Sequence, residues 1–179
     1  MKTSMAVVIT AAFIILISFL LFQQAKDDIH WHFDFALYID GSRYNFSQEK
    51  YMASNNTSLS NFAHFHDMNG NVIHKHHKDV TSGFFFRTLG IELNSTCLVL
   101  DDKRSYCGIK MFVNEKESRA FDKYNIQDLD RILIVAGEVK EYMMESVTSD
   151  ACIYSFKCPE KGAPPDEASC TGSCVYEEI

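Results

Sequence analysis

Residues 30–46, HWHFDFALYIDGSRYNF, decide the fold because polar and apolar side chains alternate along them with a period of two. On a β-strand, alternate positions point to opposite faces, so the apolar odd-numbered residues within 33–39 share one face and the even-numbered residues within 32–38 share the other. Asp40 and Gly41 then provide a tight-turn dipeptide before a second run at 43–46. The stretch predicts a β-hairpin whose odd-numbered face packs against the core.

Outward from this hairpin, the sequence predicts several more strands and few helices. The predicted elements are a polar surface loop at 47–60, a second hairpin at 62–77, a helix at 82–89 capped by Thr81 and ended by Gly90, strands around Cys97 and at 106–114, an apolar strand at 131–136, and a solvent-facing helix at 138–147. This order indicates an α+β fold with a mixed or antiparallel sheet and one short packed helix.

The amino-terminal segment 5–22, MAVVITAAFIILISFLLF, contains no charged residue and predicts a transmembrane helix. At about 1.5 Å per residue it would span roughly 27 Å, near the lower limit for a hydrocarbon core of about 30 Å. A cleaved signal peptide is the main alternative, and a buried helix of a soluble protein is a weaker one. Lys2 precedes the segment and a net negative charge at 26–28 follows it, which favours a cytoplasmic amino terminus and an extracytoplasmic bulk.

We therefore divide the chain of 179 residues into a signal-anchor helix at 1–26, an α+β ectodomain at 27–137, and a helix with a disulfide-rich tail at 138–179. The composition, 46% hydrophobic and 23% charged, is that of an ordinary globular protein, which excludes a disordered chain, a collagen and a polytopic membrane protein. The 17 basic residues are outnumbered by 24 acidic ones, so bulk charge argues against nucleic acid as a partner.

All six cysteines follow the apolar segment, and an even number in an oxidising compartment predicts disulfides. Cys97 and Cys107 flank a predicted hairpin, which would bring their sulfurs together in one bridge. The other four lie in a tail that contains all three prolines; they are Cys152, Cys158, Cys170 and Cys174. Structural disulfides are the favoured interpretation of this tail cluster, with a four-thiolate zinc site and a redox pair as alternatives. The C-x3-C spacing of the last two differs from the C-x-x-C of thioredoxin-like sites.

All seven histidines fall between residues 30 and 77, and six of them form three His-x-His pairs. The pairs are His30 with His32, His64 with His66, and His74 with His76. Residues two apart on a strand point to the same face, so each pair presents two imidazoles at a spacing that one metal ion can bridge. His77 has the opposite strand parity and is expected to lie outside the set.

The turn between the second and third pairs decides whether they meet. A two-residue turn at Asn69 and Gly70 would place the two pairs on opposite faces of the sheet. A type I turn with Gly70 in the left-handed bulge position would leave a three-residue loop and set His64 opposite His74. Asp67 at the first turn position and Gly70 at the fourth favour the second geometry, with all four imidazoles on one face.

The histidines predict a zinc or copper site, because imidazole nitrogen is a common ligand of both metals, whereas calcium and magnesium prefer oxygen. The expected principal ligands are His64, His66, His74 and His76, with His30 and His32 completing or bridging the site. Asp34 and Asp67 are available as a carboxylate ligand or as acceptors for ring N–H groups. The alternative is a solvated polar strand face, or a patch that senses acid pH through histidine titration.

Four segments of the chain carry a resemblance to known proteins. They are HWHFDFALYIDG at 30–41, AHFHDMNGNVIHKHHKDVTSGFFFRTLGIEL at 63–93, KMFVNEKESRAFDKYNIQDLDRILIVAG at 110–137, and VTSDACIYSFKCPEKGAPP at 147–165. Over roughly residues 30–165 the sequence resembles a family of small membrane-anchored extracytoplasmic proteins of archaea and small-genome bacteria. The middle and late segments also look like β-grasp (ubiquitin-like) domains, although Val113, Asn114 and Glu115 lack the glycine usual at that turn.

The resemblance implies a β-grasp-like fold and an extracytoplasmic location, and it assigns no chemistry. Some members of that family carry a disulfide-isomerase label, which the cysteine spacing of this chain does not support.

The sequence therefore predicts a single-pass membrane-anchored extracytoplasmic protein that binds copper or zinc through paired histidines on a β-hairpin. The alternatives are a β-grasp interaction module that binds a surface protein without metal, and a thiol–disulfide exchange protein. Catalysis is not favoured, because neither a nucleophile motif nor an evident general base accompanies the histidines.

Overall fold

The computed structural model describes residues 9–20, 28–53 and 59–164. The strands are β1 (Asp28–Ile39), β2 (Ser42–Arg43), β3 (Ala63–His64), β4 (Val72–His77), β5 (Glu92–Leu93), β6 (Cys97–Val99), β7 (Ser105–Cys107), β8 (Lys110–Val113), β9 (Lys116–Ser118) and β10 (Arg131–Ala136). The α-helices are α1, described over residues 9–20, α2 (Ser82–Thr88), α3 (Glu141–Glu145) and α4 (Ala151–Tyr154). Short 3-10 turns lie at Glu49–Tyr51, Phe121–Lys123 and Pro159–Lys161.

The strands form one large mixed sheet and one small antiparallel sheet. In the large sheet the order is β3-β4-β1-β10-β8-β9, and β2 pairs with β1 beyond that path. β1 runs parallel to β10, with Phe35 beside Ile132, while the other strand pairings described in this sheet are antiparallel. Strands β5, β6 and β7 form the small sheet. The predicted α+β fold with a mixed sheet is confirmed.

β1 lies in the middle of the large sheet, and its odd-numbered face packs against the main core. Phe33, Phe35 and Leu37 are 1%, 1% and 0% exposed. Helix α2 covers this face, where the ring of Phe86 lies 5.3 Å from that of Phe35. Burying such a side chain contributes about 1.5–3 kcal/mol, so the aromatic face of β1 is a main source of folding free energy. The core face that the alternation predicts is confirmed.

The even-numbered face of β1 is also covered, by the segment that follows β10. Tyr38 packs there with Met143 and Val147, which are 0% and 4% exposed. The expected solvent-facing helix at 138–147 is therefore confirmed on one side only, where Tyr142 is 47% exposed, and corrected on the other. Helix α3 is shorter than expected, and it places Met143 against the sheet, while Val147 packs there from the turn after the helix.

The first hairpin turns where the sequence predicts. Asp40 and Gly41 adopt left-handed backbone, with φ of +48° and +84°, a conformation suited to a two-residue hairpin loop. β2 ends earlier than expected, so Phe46 lies beyond the strand and its ring packs 5.6 Å from that of Phe35 and 5.5 Å from that of Phe65.

The connection between β2 and β3 is more buried than its polar composition suggests. Tyr51 and Met52, within the predicted surface loop at 47–60, are 1% and 5% exposed and belong to the main core. A few large apolar side chains can anchor a polar loop to the core, because burying each of them removes a large apolar area from water. Residues 54–58 of this loop lie outside the described part of the chain.

Helix α2 confirms both of its predicted end signals. The side-chain oxygen of Thr81 accepts a hydrogen bond from the backbone N–H of Phe84 at 3.2 Å. Gly90 follows the helix with φ of +72°, a left-handed conformation that costs glycine little because it has no Cβ.

Two disulfides are present among the described residues. Cys97 and Cys107 lie opposite each other in β6 and β7 and form the predicted bridge. Cys152 and Cys158 form a second bridge across α4, so this part of the tail is crosslinked as expected. The predicted roles of Cys170 and Cys174 fall outside the described residues.

The amino-terminal segment is helical over residues 9–20, and its apolar side chains are exposed. Phe13 and Ile15, for example, are 62% and 69% exposed. Within residues 9–20, 28–53 and 59–164, no helix has the length and hydropathy needed to cross a membrane. The predicted membrane helix at 5–22 begins and ends outside the described residues.

Candidate metal centre

The sheet register brings the three His-x-His pairs onto one face. His64 in β3 lies opposite His74 in β4, and His32 in β1 lies opposite His74 on its other side. Three imidazoles therefore form a row across three neighbouring strands. The rings of the remaining members lie beside this row; they are His30, His66 and His76. The predicted one-face register is confirmed.

The turn that sets this register differs from the predicted one. Asp67 and Met68, rather than Gly70, adopt left-handed backbone, with φ of +55° and +56°. The backbone N–H of Asn69 donates to the carbonyl oxygen of His66 at 3.0 Å and closes the turn. The sequence expectation of a bulge at Gly70 is therefore wrong, although the register that it led to is correct.

Gly70 is required for a different reason, namely close packing. A Cβ atom at this position would lie 2.4 Å from the carbonyl carbon of Phe46 and 2.5 Å from the backbone nitrogen of Ser47. The backbone N–H of Gly70 also donates to Oγ of Ser47 at 3.1 Å. The hairpin that carries the histidines is thereby packed against the chain that follows β2.

Three of the imidazoles form the tightest group of possible ligands. Ring centroids are 4.5 Å apart for His30 and His32 and 4.5 Å apart for His32 and His74. One ligand nitrogen from each of these three residues lies within 4.8 Å of the other two. Two nitrogens bound to a tetrahedral zinc ion at about 2.0–2.1 Å are about 3.4 Å apart, so a small inward movement of the rings would complete a site.

The other three imidazoles continue the cluster. The ring of His66 lies 3.6 Å from that of His74, and the ring of His64 lies 5.1 Å from that of His76. His76 in turn lies 4.8 Å from His30. All six predicted residues are therefore brought together. The tightest group contains His30 and His32, whereas the sequence predicts the other four histidines as the principal ligands.

Burial keeps much of the cluster uncharged near neutral pH. The four most buried rings are 1%, 3%, 1% and 1% exposed; they are His32, His64, His66 and His74. Desolvation, reinforced by repulsion from neighbouring imidazolium groups, lowers the pKa of His32 and of His76 to about 3. Desolvation likewise lowers the pKa of His64 to about 4 and holds that of His74 well below its usual value. Neutral imidazole is the form that binds metal.

This burial bears on the alternative interpretation of the histidines. A solvated polar strand face would leave the rings exposed to water. Four of the six rings are instead buried. His30 is the exposed member of the set and connects the buried rings to solvent.

Oxygen atoms orient two of the rings from behind. Nδ1 of His66 lies 2.6 Å from Oδ2 of Asp67, and Nδ1 of His64 lies 2.9 Å from the carbonyl oxygen of Ser60. Histidines that bind metal commonly donate their other ring N–H to a carboxylate or a carbonyl, which leaves a lone pair on the ligating nitrogen. Asp67 therefore lies where the sequence expected an acceptor for a ring N–H.

Helix α4 and the residue after it cover the histidine face. The ring of Tyr154 lies 5.6 Å from that of His32 and 5.1 Å from that of His74. Oγ of Ser155 lies 2.8 Å from Nδ1 of His32 and donates to Oδ1 of Asp128 at 2.9 Å. Ser155 is 123 positions away from His32 along the chain, so no local sequence pattern pointed to these three residues.

Asp34 holds the start of α4 in place, and its hydrogen bonds do not go to an imidazole. Its Oδ1 accepts hydrogen bonds from Oγ1 of Thr148 at 2.5 Å and from the backbone N–H of Asp150 at 2.8 Å, and its Oδ2 accepts from that of Ala151 at 3.1 Å. The carboxylate thus satisfies backbone donors at the start of α4, which have no partner within the helix. The expectation that Asp34 binds metal or accepts a ring N–H is corrected.

His77 lies apart from the cluster, as its strand parity predicts. Its Nδ1 accepts a hydrogen bond from the backbone N–H of Asp79 at 3.3 Å, and its ring packs 5.2 Å from that of Phe62. It therefore offers a matched histidine outside the candidate site.

No protein-family model, curated protein or solved structure matches this chain. The chemistry of the site follows from its own geometry. A largely buried set of imidazoles offers several nitrogen ligands at short range, which suits Zn²⁺ or copper better than the oxygen-preferring Ca²⁺ or Mg²⁺.

Proposed function

We propose that this protein is an extracytoplasmic copper- or zinc-binding protein whose primary ion is held by His30, His32 and His74. The observation that carries the proposal is the burial of four imidazoles, each 3% exposed or less, in ring-to-ring contact on one face of the sheet. Burying polar rings costs free energy unless their nitrogens are bound, and a metal ion binds several of them at once. The cost is then offset by coordination.

The lowered pKa values favour metal binding over pH sensing. A histidine that senses mildly acidic pH must titrate near 6.5. Burial places the pKa of His32 and His76 at about 3 and that of His64 at about 4. These rings stay neutral, and therefore competent as ligands, throughout the range in which such a sensor would switch.

Elemental analysis by mass spectrometry tests the proposal. The full chain is produced in an oxidising compartment without a polyhistidine tag, together with a variant carrying His30→Ala, His32→Ala and His74→Ala. We expect at least one copper or zinc ion per chain in the parent and loss of the primary ion in the variant. The matched control is His77→Ala, which removes a histidine of the same strand and should retain the metal. A parent that takes up neither metal after reconstitution at pH 7.5 would rule the proposal out.

We also propose that residues 5–22 anchor the protein in a membrane, with the amino terminus cytoplasmic and the metal centre outside. Exposed apolar side chains on the helical residues 9–20 and the two described disulfides support this location. Alkaline carbonate extraction should leave the chain in the membrane pellet, and external protease should cleave the ectodomain. Recovery in the soluble fraction would favour the cleaved signal peptide.

We also propose that the fold is β-grasp-like, and the order of the strands supports this. The first and last strands, β1 and β10, pair in parallel at the centre, each has an antiparallel neighbour, and α2 follows the β1–β4 pair. At the turn after Val113, the residues Asn114 and Glu115 adopt φ of +50° and +69° without a glycine. A β-grasp module that bound only a protein partner would keep that binding after all six paired histidines were replaced.

A further inference from the structure

A second set of three imidazoles lies beside the primary group. The set is His64, His66 and His76. The ring of His64 lies 5.8 Å from that of His66 and 5.1 Å from that of His76. One tetrahedral ion accepts four ligands at most, so six adjacent imidazoles exceed what a single ion can use.

Hydrogen bonds at Nδ1 fix the tautomer of two rings of this second set. Nδ1 of His64 faces a carbonyl oxygen, which can only accept, so in the neutral ring Nδ1 carries the proton and Nε2 carries the lone pair. Nδ1 of His66 faces the carboxylate of Asp67 in the same way. Nε2 of His66 and Nε2 of His76 are both buried and make no hydrogen bond with any described residue. Two buried nitrogens without a partner in one set of three indicate a bound group.

Each set has its own carboxylate behind one of its histidines. Asp67 contacts His66 directly. Asp128 reaches His32 through Ser155 and also accepts a hydrogen bond from the backbone N–H of His32 at 2.9 Å. Lys157 also pairs with Asp128. Carboxylates behind imidazole ligands raise ligand basicity and offset part of the positive charge of a bound cation.

The two sets meet at His74. Its ring lies 4.5 Å from that of His32 and 3.6 Å from that of His66. Ions held by the two sets would therefore be neighbours rather than independent sites at opposite ends of the sheet.

We propose that the histidine face holds two metal ions, the primary ion on His30, His32 and His74 and a second on His64, His66 and His76. This inference rests on the proposed function, since it assigns a second ion to the same face. It makes the centre dinuclear, with imidazole nitrogen as the protein ligand of both ions.

Native mass spectrometry of the full chain during titration with Zn²⁺ tests the inference. We expect two zinc ions per chain in the parent. His30→Ala and His76→Ala each remove one member of one set, and each should lower the stoichiometry to one ion at zinc concentrations that saturate the parent. These two positions are the least buried members of their sets, so the variants are the ones expected to fold; far-ultraviolet circular dichroism checks this. His77→Ala should still bind two ions.

The outcomes separate this inference from the function on which it rests. A parent that binds a single ion overturns the dinuclear centre and leaves the metal-binding function intact. A parent that binds none overturns both. Loss of both ions in either His30→Ala or His76→Ala would show one shared site and would also overturn the inference.

Discussion

At the scale of single residues, Asp67 links the backbone of the hairpin to the chemistry of the site. Its left-handed φ of +55° helps to form the turn, and its carboxylate lies 2.6 Å from Nδ1 of His66. Asn adopts left-handed backbone as readily as Asp does. Asp67→Asn therefore removes the charge behind His66 and leaves the turn in place.

We expect Asp67→Asn to weaken metal binding about tenfold, because the outer partners of metal-bound histidines tune ligand basicity. Competition with a chromophoric chelator measures the affinity. The matched control is Asp102→Asn, an exposed carboxylate that pairs with Arg104 in another turn. Equal affinities for Asp67→Asn and the parent would show that the carboxylate does not support a ligand.

Gly70 shows how packing at one residue places the histidine hairpin. Gly70→Ala should lower the free energy of unfolding by about 3 kcal/mol, since the added methyl group would meet backbone atoms of Phe46 and Ser47 that cannot move aside. Urea unfolding followed by circular dichroism measures this loss. Gly108→Asn is the control, because Gly108 has open space around it and φ of +72°, which Asn tolerates. A loss no larger than that of the control would contradict the packing argument.

At the scale of secondary-structure elements, α4 determines how well the histidine face is covered. The helix has only four residues, Ala151–Tyr154, too few to be stable by itself. Asp34 satisfies donors at its start, and the Cys152–Cys158 disulfide closes the chain around it. Tyr154 and Ser155 are thereby held over His32.

Removing this bridge should affect both stability and metal affinity. Cys152→Ser with Cys158→Ser opens a loop with a sequence separation of 6, which should cost about 2 kcal/mol of unfolding free energy. The same variant should bind metal more weakly, because Ser155 no longer stays beside Nδ1 of His32. Urea unfolding and chelator competition measure the two effects.

The other disulfide provides the control for this experiment. Cys97→Ser with Cys107→Ser opens a loop with a sequence separation of 10 in the small sheet. It should cost a similar amount of stability and leave metal affinity unchanged. Weakened metal binding in both double variants would mean that the effect comes from general destabilisation and not from the position of α4.

At the scale of the whole molecule, burial of the histidines makes the metal-free protein sensitive to acid. The pKa values of His32, His64 and His76 are lowered on folding, to about 3, about 4 and about 3, from 6.5. Below pH 6.5 the unfolded chain binds protons that the folded chain does not. Stability is therefore fully present above that pH and falls as the pH decreases toward the folded-state values.

We expect the free energy of unfolding of the metal-free protein to fall by about 1.4 kcal/mol per buried histidine between pH 7.5 and pH 5.5. Urea unfolding at the two pH values measures the change. His64→Gln should make the dependence shallower by one histidine. An unfolding free energy that does not change over this range would show that the rings are not buried in the neutral form.

The sequence by itself determined β1 and its core face, helix α2 and one disulfide. The period-two alternation at 30–39 identified β1 and its core face, and the two end signals of α2 placed that helix. Cys97 and Cys107 were assigned from the hairpin that they flank. These features depend on neighbours close in the chain, where side-chain periodicity and backbone preference act directly.

Only the tertiary structure decided what surrounds the histidines. The sequence predicts the six residues as one set, but the pairing of β1 with β4 is what places His32 beside His74. Contacts between residues more than 100 positions apart in the chain place Ser155 beside His32 and Asp34 at the start of α4. The apolar pattern around Met143 did not show that the second face of the sheet would be covered. Such contacts join segments whose approach depends on how the whole core packs, and that packing leaves no periodic signal in either segment.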